Sequence, residues 1–233
     1  MNIVKFKSEL TVVILCGGKG MRLRPLTKQL PKPLIKINNK SILENIIKYF
    51  LKYKITNFII ATGYKSEIID QFIKKKFKKQ DIKTIYTGLD SDIITRLQKS
   101  SEYSKKHLLV CYGDTMVDIN FDKYIKFYLK NVKKILVTSY QLKLSFGIMN
   151  ILKNNDVVDF KEKPSLDIWY NVGYLIFSSD NFFLFKKFKK FQELLKFLSK
   201  KNLMRAYKHS GNHITVNTVA ELEMAKKHIK IFK

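Results

Sequence analysis

The residues best placed to do chemistry lie in Leu15–Pro33, LCGGKGMRLRPLTKQLPKP. Gly17, Gly18 and Gly20 let the backbone approach an anion closely, and the N–H groups of such a turn point at phosphate oxygens. Arg22 follows at once, and Lys32 stands between two prolines that stiffen the loop while the lysine adds a charge to the same place. The segment ends in no Gly-Lys-Ser/Thr and opens no helix directly, so it is neither a P-loop nor a dinucleotide fingerprint. Further on, Asp114 closes Tyr112-Gly113-Asp114, and Glu162-Lys163-Pro164 precedes Asn171 and Gly173. The four histidines, His107, His209, His213 and His228, are scattered without the spacing of a zinc site.

Elements that would position these residues are readable from periodicity. Leu10–Cys16 (LTVVILC) is a continuous β-branched run ending in glycines, the pattern of a parallel strand covered on both faces. Ser41–Tyr53 reads as an amphipathic helix opened by a capping box of Ser41 and Glu44. Strands at 57–62, 82–86 and 107–112 alternate with a helix over 66–76 and a loop leading into a short helix over 91–105. Later strands fall at 135–140, 147–152 and 174–178, separated by helices at 122–130 and 182–200, and a closing helix spans 219–230. The alternation predicts a Rossmann-like three-layer α/β sandwich with a mainly parallel (mixed) central sheet, formed as one domain over 1–233. In such sheets ligands gather beyond the carboxyl ends of the strands, where the glycine loop and Asp114 both fall.

Together these motifs resemble the sugar nucleotidyltransferase signature, GG-x-G-T-R-L-x-P-L-T followed by P-K-P, with Met21 in place of the threonine. Tyr112-Gly113-Asp114 matches the family's magnesium-holding aspartate, and Glu162-Lys163-Pro164 its sugar-phosphate motif. Asn171 and Gly173 match the segment that contacts the sugar, with Gly147 in a loop beside it. Thr87-Gly88, Arg96-Leu97 and Phe146-Gly147-Ile148 are most similar to the glucose-1-phosphate cytidylyltransferase branch, and 135–218 corresponds to the sugar-phosphate-binding part. The resemblance implies transfer of a nucleotidyl group from a nucleoside triphosphate, CTP favoured, to a sugar 1-phosphate. The products would be pyrophosphate and an activated sugar for surface polysaccharide. Guanylyl, thymidylyl or uridylyl transfer, or a weakened relative that binds without turnover, are the alternatives.

By the same resemblance, Arg22 neutralises the departing β and γ phosphates, Lys32 the α-phosphate and Lys163 the incoming sugar phosphate, with Glu162 beside it. Leu15, Gly17, Gly18, Gly20, Thr87, Gly88 and Arg96 complete the nucleotide side, and Asp114 holds Mg²⁺. Two departures bear on this reading. Ile93-Ile94-Thr95 replaces the branch's Thr-Gly-Gly near the base, and the C-terminal metal carboxylate is replaced by Asn217, whose amide oxygen is the remaining candidate ligand. Trp169 and Tyr170 suit either a sugar ring or the core.

Composition bounds the rest. The formal net charge is +26, yet only four of the 45 basic residues are arginines, so the charge is expected to attract small polyanions and not nucleic acid. Cys16 and Cys111 lie in apolar strands and make no disulfide framework, which fits a cytoplasmic protein. No apolar run is long enough to insert into a membrane. A homo-oligomer is left open.

Overall fold

The computed structural model describes residues 2–232. A short helix α1 (Ile3–Ser8) leads into β1 (Leu10–Cys16). After the glycine loop and α2 (Leu26–Gln29), a small hairpin, β2 (Lys36–Ile37) and β3 (Lys40–Ser41), opens α3 (Ile42–Lys52). Then follow β4 (Phe58–Thr62), α4 (Ser66–Lys76), β5 (Ile82–Tyr86), α5 (Ile93–Ser101), β6 (His107–Tyr112), β7 (Thr115–Val117) and α6 (Phe121–Leu129). The second half comprises β8 (Ile135–Lys143), β9 (Ile148–Ile151), β10 (Val157–Lys161) and the long β11 (Ser165–Ser178). It finishes with α7 (Leu184–Lys187), α8 (Phe191–Lys200), β12 (Met204–His209), β13 (His213–Thr215) and α9 (Val219–His228).

Seven strands form one sheet in the order β12-β8-β11-β6-β1-β4-β5. β1 runs parallel to β4 and β6, β4 to β5, and β8 to β12, whereas β11 is antiparallel to β6 and β8. The sheet is therefore mixed and mainly parallel, as its alternating helices require. Side chains of β1 divide between two cores: Val12 and Ile14 pack with α3, α4 and α6, and Val13 with α5 and α8. Two covered faces explain why this strand carries an unbroken apolar run.

The register of the central strands sets up the site. Leu15 lies opposite Tyr112, so Gly17 and Gly113 leave the sheet side by side, tied by the Gly113 amide donating to the Leu15 carbonyl at 3.0 Å. A Cβ on Gly113 would lie 2.8 Å from both Cys16 Sγ and the Leu15 carbonyl oxygen, which is why the crossing needs glycine.

Local chemistry departs from the sequence reading at two elements. The Ser41 hydroxyl accepts from the Glu44 amide at 3.1 Å, but the Glu44 carboxylate binds Lys48 at 2.7 Å, so only half of the capping box forms. The helix expected over 182–200 is broken into α7 and α8. Phe188 and Lys190 are extended, and Asp92 accepts the Phe191 amide at 3.1 Å.

Candidate functional site

A cavity of about 420 Å³ opens at the carboxyl ends of β1 and β6. Its floor is the Leu15–Gly20 loop; Arg22 and Lys32 form one wall, Arg96 and Ile93 another, and Tyr112, Asp114 and Asn217 close the third. Residues from 15 to 217 thus meet in one place.

Gly20 adopts a left-handed φ of 63°, opening a 3-10 turn that carries Arg22. Thr27 donates to the Gly20 carbonyl at 2.9 Å, and a Cβ on Gly20 would lie 3.1 Å from Cβ of Lys32. This close approach brings the lysine of the Pro-Lys-Pro segment against the glycine loop. Lys32 Nζ donates to Asp114 Oδ2 at 2.5 Å and to Asn217 Oδ1 at 2.9 Å, while Arg22 reaches Asn217 Oδ1 at 3.3 Å. Thr115 donates to the other Asp114 oxygen at 3.0 Å. Two cations, one carboxylate and one amide oxygen therefore form a single cluster on the cavity wall.

Asn217 is held from both ends: its amide nitrogen donates to Thr215 Oγ1 at 3.0 Å, and its backbone N–H to Glu221 Oε2 at 2.5 Å. The Thr218 hydroxyl caps α9 by accepting the Glu221 amide at 3.2 Å. Upstream, Asp118 accepts from the Asn212 backbone and side chain, each at 2.6 Å, and lies 2.9 Å from His209 Nε2. It pins the turn that feeds β13, which pairs with β7 next to Asp114. Sequence reasoning missed Asp118, because its partners lie more than 90 residues away and form no motif.

Arg96 is buried beneath the loop. Its guanidinium donates to Thr87 Oγ1 at 2.7 Å, the Thr62 carbonyl at 3.2 Å and the Gly88 carbonyl at 3.4 Å, and burial pulls its pKa down. A Cβ on Gly17 would fall 1.5 Å from Arg96 Nη1, so the glycine is there to admit the guanidinium. Thr87 is fully buried and donates to the Thr62 carbonyl at 2.6 Å; neither it nor Gly88 lines the cavity. Both support Arg96 from below. Ser91 and Ile93 also line the cavity.

The expected sugar side is only partly gathered. Asn171 accepts the Gly173 amide at 2.8 Å, and Gly173, at φ 82°, lies against the Tyr112 ring that lines the cavity. Glu162 and Lys163 stand apart from the cavity lining, 3.5 Å from each other and largely exposed, and Gly147 lies under the Phe160 ring beside Glu162. Trp169 donates to Asp167 at 3.0 Å beneath the Lys208 ammonium, and Tyr170 contacts His213 at 3.1 Å. Cys16 and Cys111 are buried, and desolvation, reinforced at Cys16 by the Asp114 carboxylate, raises both thiols well above their usual range.

The donor set can be tested against a magnesium ion. Asp114 and Asn217 present hard oxygens that already converge on one cation, the Lys32 ammonium. Among the described residues no group of three or more His, Cys, Asp or Glu forms a cage. Magnesium retains water and takes one or two protein carboxylates together with substrate phosphates, so these residues fit an ion that shares its shell with a triphosphate.

The mixed α/β sheet, with its glycine turn and acid at adjacent strand ends, has the fold of the nucleotidyltransferases. Residues 11–220 match the family model described as Nucleotidyl transferase, and the chain belongs to the sugar-1-phosphate nucleotidyltransferase family. It is 29% identical to a probable glucose-1-phosphate cytidylyltransferase of Bacillus subtilis, over 90% of this chain and 92% of the relative. It is 33% identical to the D-glycero-alpha-D-manno-heptose 1-phosphate guanylyltransferase of Campylobacter jejuni, over 65% and 67%. Among solved structures, the fold matches a putative glucose-1-phosphate thymidylyltransferase from Bacillus anthracis with TM-score 0.73 and 19% identity, covering 94% of both chains. HddC from Yersinia pseudotuberculosis, complexed with GMP-PN, matches with TM-score 0.72 and 20% identity, covering 94% of this chain and 99% of that one.

Proposed function

We propose that the protein transfers a nucleotidyl group from a nucleoside triphosphate, with CTP favoured, to a sugar 1-phosphate, releasing pyrophosphate. The observation that carries this reading is the convergence of the glycine loop, Arg22, Lys32, Asp114 and Asn217 on one cavity. The reaction brings one phosphate anion in line with the α-phosphorus of another, so the protein's task is to neutralise charge and fix geometry, with no covalent nucleophile required. Loop amides and Lys32 would bind the α-phosphate, and Arg22, on the exposed rim, would take charge developing on the departing pyrophosphate. Lys163 would reach the sugar phosphate from the exposed base of the β9–β10 hairpin. Asp114 and the Asn217 amide would hold Mg²⁺, which when bound neutralises triphosphate oxygens.

CTP preference rests on the Thr87-Gly88 and Arg96-Leu97 matches and on the cytidylyltransferases among the relatives. A cytoplasmic setting and a role in polysaccharide synthesis belong to the same proposal. Pyrophosphate release, measured across a grid of triphosphates and sugar 1-phosphates with Mg²⁺, tests it: turnover is expected with CTP and a hexose 1-phosphate, and silence across the grid refutes it.

One observation favours a second reading, a relative that binds but turns over weakly. The second acid of the family's metal pair is an amide here, and Lys32 bonds both remaining oxygen donors. Saturable nucleotide binding without pyrophosphate release, with release restored by Asn217→Asp, would select that reading.

A further inference from the structure

The β9–β10 hairpin is a two-stranded sheet separate from the central one, and no strand among the described residues pairs with either outer edge. Its register places Met149 opposite Phe160 and Ile151 opposite Val157, so these four side chains share one face. All four are more than half exposed, and so are the flanking Phe146 and Ile168. The Phe160 ring is laid over Gly147 at the surface, where a Cβ would come within 2.5 Å of the ring, and no hydrophobic cluster includes it. Isolated apolar side chains on a surface are ordinary, but a contiguous face of this kind marks an interaction site.

Charge singles out the same segment. Residues 146–168 contain Lys153, Lys161 and Lys163 against Asp156, Asp159, Glu162 and Asp167, a balance of three to four in a chain of net charge +26. Two copies of so basic a protein repel each other over most of their surface, and the hairpin is where that repulsion is absent. An apolar, nearly neutral patch is complementary to itself, as a two-fold contact requires.

We propose that the apolar face of the β9–β10 hairpin docks a second copy of this chain through a two-fold contact built on Met149, Ile151, Val157 and Phe160. The contact would also steady the strand that leads directly into Glu162-Lys163-Pro164. Because apolar burial drives it against the repulsion of the remaining surface, added salt strengthens it; a contact between hairpin acids and another copy's basic surface would weaken instead.

Sedimentation equilibrium of the whole chain at 50 and 500 mM salt tests this, comparing wild type with a Met149→Asp, Phe160→Asp double variant. Expected are a dimer that tightens at the higher salt and at least a tenfold weaker association in the variant. A wild type that stays monomeric at both salts, an association that weakens with salt, or a variant that dimerises unchanged overturns the proposal. Hydrogen exchange of wild type alone at dilute and concentrated protein keeps the test independent of how the variant folds. Slower exchange over 148–161 at high concentration supports the interface, and exchange indifferent to concentration overturns it.

Discussion

Replacing Gly17 by alanine isolates the contact on which the glycine loop is seated. The new Cβ would lie 1.5 Å from Arg96 Nη1 and 2.2 Å from its Cζ, against the 3.4 Å or more of ordinary contact. Either the loop moves outward by about 2 Å or the guanidinium withdraws and gives up its bonds to Thr87, Thr62 and Gly88. Bonds from a charged donor contribute about 1.5–3 kcal/mol each, and only the 2.7 Å bond to Thr87 is short, so the expected loss is roughly 3–5 kcal/mol. For a chain of this length that lowers the melting temperature by on the order of 10 °C. Urea unfolding of Gly17→Ala, Arg96→Ala and the double variant forms the cycle that checks the cause. Removing the guanidinium vacates the space the methyl needs, so Gly17→Ala should cost little in the Arg96→Ala background, a coupling of about 2 kcal/mol or more. Additivity within about 0.5 kcal/mol would refute the steric account.

Other outcomes follow from the same geometry. Asp114→Ala and Lys32→Ala should each lower pyrophosphate release by about 10²–10³-fold with unchanged circular dichroism, and activity within tenfold of wild type would remove either residue from the machinery. Asn217→Asp adds a second carboxylate beside Asp114 and should lower the half-saturating Mg²⁺ concentration by roughly tenfold, read from metal titrations of turnover; an unchanged or raised value contradicts the proposed ligand role. Burial holds His213 down to about 4 and lowers His107, whose two ring nitrogens have no hydrogen-bond partner. The unfolded chain therefore binds protons below about pH 6.5 that the native state refuses, so stability falls as pH drops from 6.5 to 4, by up to about 3 kcal/mol for His213. Urea midpoints across that range should show a shallower decline in His213→Phe, and an identical slope would rule the histidine out as the cause.

The inner strands of the central sheet were legible because they are buried on both faces: the apolar run of β1 and the helical spacing of Ile42, Ile46, Ile47 and Phe50 in α3 admit few other readings. Elements on the periphery were not. β12 is a half-exposed edge strand whose sequence, MRAYKH, lacks an apolar run, and β10 is exposed throughout, so neither carries the burial pattern that betrays a strand. Over 182–200, phenylalanines recur at helical spacing straight through the break, and Asp92, whose side chain accepts the first amide of α8, lies 99 residues away. At the site, the glycines and cations were recognisable by type. Family resemblance places Arg96 on the nucleotide side, and its further contact beneath Gly17 depends on packing across 79 residues. Likewise Asp118, His209 and Asn212 signal nothing until the fold assembles them.

One strand, Ser165–Ser178, belongs to two mechanical regimes. Its inner residues from Leu175 are clamped between β6 and β8, while its outer part, through Asn171, is tied to β8 alone and interrupted by register shifts. Gly173, with its positive φ, stands at the junction between the doubly paired root and the singly paired outer limb. Asn171, the side chain on this strand expected to meet the sugar, stands on the singly paired limb, so a substitution there should leave the doubly paired root that anchors the sheet intact.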